Sequence, residues 1–96
     1  MYKLVVILQV RDFSALQTFE QLAASRMALY GGAIVNALET RREHDGSGEE
    51  IHLLQFPDEG AYRQYCSDGV MADNGILRSC AIGATRVIPV LNEKQY

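Results

Sequence analysis

The chain has 96 residues, 48% of them apolar, which is enough for one domain and too apolar for a disordered segment. Its net charge of −3 and pI near 5.2 argue against nucleic acid and against an anionic membrane surface as partners. A domain this small hides only about 60–65% of its unfolded surface, so it stands to gain from a partner.

The opening run MYKLVVILQV is rich in β-branched residues from Lys3 to Val10 and barely alternates, which reads as a strand buried on both faces. It is too brief for a leader, Gln9 and Arg11 follow at once, and no small-residue cleavage site appears. No stretch approaches the ~20 apolar residues of a membrane span. The expected location is therefore the cytoplasm. Cys66 and Cys80 fit it as free thiols, because their spacing matches no zinc or redox motif.

The next segment, DFSALQTFEQLAASRMALY, predicts a helix. Leu16, Phe19, Ala23, Met27 and Tyr30 fall on one stripe, and Ser14 with Gln17 suggests a capping box. Arg26 falls beside that stripe and is expected to snorkel to solvent. Gly31 and Gly32 stop the helix, since glycine reaches the left-handed conformation without a Cβ penalty. AIVNALETRRE and EEIHLLQF read as a hairpin around the turn HDGSG. Asn36 is expected to bond along a strand edge.

Pro57 ends the second hairpin strand, and Asp58 can cap a helix over EGAYRQYCSDG that Gly69 breaks. Tyr62 and Tyr65 on that helix are expected in the core. One short helix is expected around Gly75 to Ser79. ATRVIPVL is the last strand, at an edge because of Pro89.

The order β-α-β-β-α-β predicts a single α+β domain over residues 1–96 with the ferredoxin-like plan. In that plan the antiparallel sheet has spatial order 4-1-3-2 and both helices lie on one face. The other face has no cover within the chain. Ile51, Leu53 and Gln55 alternate with His52, Leu54 and Phe56, so both faces carry apolar side chains. A second copy is the expected cover, giving a homodimer through the open sheet face.

The runs YGG (Tyr30 to Gly32), QFPDEGAYRQY (Gln55 to Tyr65) and ILRSCAIGATRVIPV (Ile76 to Val90) resemble the DUF1330 family of the dimeric α/β-barrel superfamily. The resemblance spans most of the chain and implies a dimer, in a family whose biochemical function is not established. It carries over no catalytic residue. Relatives in the superfamily include cofactor-free monooxygenases, muconolactone isomerases and haem-degrading enzymes. The charged hairpin tip RREHDGSGEE departs from the shorter tips of the family.

Topology brings Gln9, His52 and Arg86 toward one end of three neighbouring strands, where they could form a row at the mouth of the interior. Arg86 would supply charge, Gln9 a hydrogen bond and His52 a proton relay for a small anionic or carbonyl molecule. The segment Gly69 to Cys80 would close over that end as a lid. His44 with its acidic neighbours lacks metal-ligand spacing, so no metal is expected. Neither a phosphate loop nor a nucleophile elbow is present, and no cofactor is expected. The leading expectation is a dimeric barrel that binds a small organic molecule in its interior cleft. The alternatives are a cofactor-free oxygenase or isomerase, and a purely structural or interaction module. The sequence does not decide whether the chain is an enzyme.

Overall fold

Residues 1–96 are all described by a computed structural model. The apolar opening run forms β1 (Tyr2–Val10), and the striped segment forms α1 (Phe13–Ala28). The hairpin consists of β2 (Ala33–Arg42) and β3 (Gly48–Phe56). Three short helices follow, α2 (Glu59–Cys66), α3 (Gly69–Asp73) and α4 (Gly75–Ala81), before β4 (Ile82–Pro89). The sheet order is β2-β3-β1-β4, antiparallel throughout, as the ferredoxin-like plan requires. No helix is long and apolar enough to cross a membrane.

Antiparallel pairing puts facing residues on the same side of the sheet. One side carries the rungs Ile34–Leu54–Leu4–Pro89, Ala37–His52–Val6–Val87 and Glu39–Glu50–Leu8–Thr85. This is the helix side, where Leu4, Val6, Leu8, Leu54 and Phe56 join Phe13, Leu16, Ala23 and Met27 in one core. Phe56 is fully buried, which alone contributes roughly 1.5–3 kcal/mol. The opposite side carries Asn36–Leu53–Val5–Ile88, Leu38–Ile51–Ile7–Arg86 and Arg41–Glu49–Gln9–Ala84. No element of the chain covers it, and Leu38 there is 58% exposed.

Local details differ from the sequence expectations in four places. The α1 cap is Asp12 rather than Ser14: its carboxylate accepts the Ser14 N–H at 3.0 Å, a stronger acceptor than a hydroxyl. Only Gly31 of the glycine pair has positive φ, at 74°. Gly32 N–H reaches back to the Met27 carbonyl and Gly31 N–H to the Ala28 carbonyl, the two bonds of a Schellman stop. Gly69 does not simply break a helix; it starts α3, because Asp68 accepts the Met71 N–H and caps it.

Arg26 does not snorkel freely. Its guanidinium clasps Asp68 at 2.9 and 3.1 Å, and Tyr30 Oη donates to the same carboxylate at 2.6 Å. Arg26 and Tyr30 together hold the buried Asp68 carboxyl well below the usual range. The clasp ties α1 to the turn between α2 and α3, and so fixes the roof over the sheet.

Candidate functional site

Between α1, the α2–α4 roof and the sheet lies a cavity of about 260 Å³. That exceeds the roughly 150 Å³ cavity known to take up benzene, and leaves room for about two rings. Its wall is mostly apolar: Val6, Leu8, Phe19, Met27, Leu54 and Val87 are among the lining residues. Tyr62 and Tyr65 face it from α2 and pack on Phe56 at ring-centroid distances of 5.4 and 5.7 Å. Burial pushes the Tyr65 phenol up to about 12, so it remains a donor at neutral pH.

His52 and Glu20 stand in that wall, and Glu50 lies beside them on β3. His52 Nε2 lies 2.5 Å from Glu50 Oε2 and 3.4 Å from Glu20 Oε1. The alternation of β3 puts Glu50 and His52 on the helix side, and both are buried. Glu20 reaches them from α1, on the buried stripe Leu16–Glu20–Ala23–Met27. Its Oε1 is buried and faces His52 Nε2 at that 3.4 Å distance. All three donor atoms lie within 4.8 Å of one another, a set that can also hold a divalent cation.

The three groups set one another's protonation. Burial, and then the hydrogen bond shared with Glu20, push the Glu50 carboxyl up to about 7. Burial opposes charge on His52, but its bonds to Glu20 and Glu50 outweigh that and raise it. Burial likewise opposes ionisation of Glu20, and the bonds from His52 and Glu50 bring it below its ordinary value. Near neutral pH Glu50 is therefore poised between its acid and base forms, beside His52 and an ionised Glu20.

The sheet separates the three residues expected to form one row. His52 is on the helix side, in the middle of β3 opposite Val6, and not at a strand end. Gln9 and Arg86 are on the open side. Gln9 donates to Glu49 at 2.9 Å and accepts from Arg41 at 3.3 Å. Arg86 ends the apolar rung Leu38–Ile51–Ile7 and is exposed. The reason is register: Arg86 pairs with Ile7, an odd-numbered position of β1, whereas His52 pairs with the even-numbered Val6. The cavity accordingly lies under the helices and not on the open face.

Sequence reading passes over Glu20 and counts Glu50 with the solvated hairpin tip, whereas Glu50 is buried beside His52. The signals were present: Glu20 interrupts an apolar stripe four residues after Leu16, and Glu50 shares its parity with His52. The Gly69 to Cys80 segment does reach the site, because Arg78 of α4 lines the cavity.

No protein-family model matches the chain, and no curated protein matches it. Solved structures do. One is RPA0582, a protein of unknown function from Rhodopseudomonas palustris, with a TM-score of 0.76 at 13% identity over 98% of this chain and 83% of that one. SnoaB, a cofactor-independent oxygenase from Streptomyces nogalater, is similar with a TM-score of 0.68 at 14% identity over 98% and 94%. PA3566 from Pseudomonas aeruginosa gives 0.70 at 10% identity over 97% and 94%. What they share with this chain is the fold. It is the ferredoxin-like β-α-β-β-α-β plan, with one antiparallel sheet and its helices on one face.

Proposed function

We propose that this chain is a proton-transfer catalyst for a small, largely apolar organic molecule held in the helix-side cavity. The observation that carries this reading is the pair His52 and Glu20 in a mostly apolar wall, with Glu50 hydrogen-bonded to His52 behind it. A Glu50 carboxyl pushed up to about 7 can both accept and donate a proton at neutral pH, relayed through His52. The mostly apolar wall around His52 limits competition from water. The chemistry is removal of an acidic C–H or O–H proton beside a carbonyl, the common first step of cofactor-free oxygenation and of isomerisation. Likeness of fold to the oxygenase SnoaB agrees with that class. A cavity with room for a ligand also speaks against a purely structural role.

The working form in this reading is a cytoplasmic homodimer closed over the open sheet face, and the YGG and FP-helix segments support a likeness to DUF1330 proteins. The ligand site moves from Gln9 and Arg86 to the helix side; of the three expected residues, His52 remains in it.

Deuterium exchange at the activated methylene of 2-tetralone, followed by NMR in the presence of EDTA, tests the proposal. Wild type should accelerate exchange above buffer. His52→Ala and Glu50→Gln should each lose about 10²-fold or more of that acceleration while remaining folded. Exchange no faster than in buffer, or undiminished in both variants, would overturn the proton-transfer role.

A further inference from the structure

Among the residues that line the cavity, Arg78 is the one lysine or arginine. It extends from α4 at the β4 side, where Thr85 and Val87 are exposed and the cavity opens to solvent. One guanidinium nitrogen donates to Thr85 Oγ1 at 2.9 Å. Arg78 forms no ion pair with any carboxylate of the chain. A guanidinium has five N–H donors in a fork that matches a carboxylate edge, so most of its capacity is unspent.

The opposite end of the cavity has the reverse character. Glu50, Leu8 and Thr85 form one rung, so Glu50 and Thr85 stand two strand spacings apart, about 10 Å. Leu8, Val6, Phe19 and Met27 line the space between. The ionised Glu20 at the deep end repels an incoming anion, and Arg78 at the mouth attracts it. A ligand with one anionic end can therefore lie in one direction only.

We propose that Arg78 is a specificity-determining residue that selects ligands with a carboxylate at one end of an apolar, one- or two-ring body. The carboxylate meets Arg78 and Thr85 at the mouth, and the opposite end of the body reaches His52. The inference rests on the helix-side cavity being the ligand site, and it adds to that reading the charge and the orientation of the ligand.

Two naphthalene probes of equal shape test it: 2-naphthoate, which is anionic, and 2-naphthamide, which is neutral. Their affinities are measured by isothermal titration calorimetry. Wild type should bind the naphthoate at least about tenfold more tightly than the amide, as a charge-assisted bidentate contact implies. Arg78→Gln should bring the two probes to near parity and leave amide affinity within about twofold, and Arg78→Lys should retain part of the preference. His52→Ala should preserve the preference. If Arg78→Gln does not fold, raising NaCl with the wild type still decides: naphthoate binding should weaken several-fold and amide binding should not. Equal affinities in wild type, or a preference that survives Arg78→Gln or high salt, would overturn the role of Arg78 and leave the cavity reading standing. A wild type that binds neither probe would overturn both.

Discussion

Glu50 is the residue in which burial, charge and chemistry meet. Its carboxyl has an ordinary value of 4.5 and is pushed up to about 7 in the folded chain. Between those values the folded state holds more protons than the unfolded one, so stability falls as pH rises through that window. His52, also raised, adds stability that is complete below its unfolded value and is lost as pH climbs through its folded one. Glu20, lowered, acts in the opposite sense, and its contribution disappears as pH falls through its folded value. Wild type should therefore lose stability from about pH 5 to about pH 7, by an amount on the order of 2–3 kcal/mol after screening is allowed for. Glu50→Gln should flatten the slope between about pH 5 and about pH 7. Urea midpoints across that range check it, and a wild-type profile that rises with pH would contradict the assignment. The three members of this cluster were unequally legible in the sequence. His52 was visible because a histidine in an apolar strand is conspicuous. Glu20 and Glu50 were hidden among surface acids, because their inward direction depends on helix phase and strand parity together. Gln9 and Arg86 were drawn to the site by strand order alone, which places strand ends but does not say which side of the sheet a side chain takes.

At the scale of elements, the glycine pair after α1 shows how one stop serves two neighbours. Gly31 has a φ of 74°, and a Cβ there would lie 2.8 Å from Pro57 Cγ. Gly32 has ordinary dihedrals, but a Cβ there would overlap the Phe56 ring. The sequence suggested one conformational reason for both glycines; the second reason is packing against a fully buried aromatic, which needs three-dimensional proximity to be seen. Gly31→Ala should cost about 1 kcal/mol or more through backbone strain. Gly32→Ala should cost about 1–3 kcal/mol by forcing Phe56 aside. Phe56 supports Tyr62 and Tyr65, so the Gly32 variant should also perturb the cavity wall, whereas the Gly31 variant should not. Thermal melts compare the two costs, and equal melting temperatures for both variants and the parent would remove this account. The long strands and α1 were readable from periodicity. The start of α3 at Gly69 was not, because it depends on Asp68, whose clasp by Arg26 comes from a distant part of the chain.

The whole molecule is a slab of 38 × 37 × 17 Å with helices on one broad face only. The other face has Val5, Ile7, Ile51 and Leu53 at its centre, flanked by Leu38 and Ile88. A stable interface hides about 800 Å² per partner, which a face of these dimensions can supply. Two-fold packing of this face on itself satisfies every copy alike and leaves no apolar sheet in water. It also keeps both helix-side cavities, one per protomer, at the outside of the pair, open to ligand through their β4 mouths. Arg86 and Gln9 then belong to the edges of the interface and not to the ligand site. Leu53 is the most informative position, because it sits between Val5 and Asn36 with no cation on its rung. Leu53→Asp puts an unpaired carboxylate at the centre of the contact, and burying it would cost roughly 3–5 kcal/mol. Light scattering should report a dimer for wild type at micromolar concentration and a monomer, or loss of fold, for the variant. Arg78→Gln, on the far side of the sheet, should remain dimeric. A wild type that is a folded monomer at every concentration would refute the dimer.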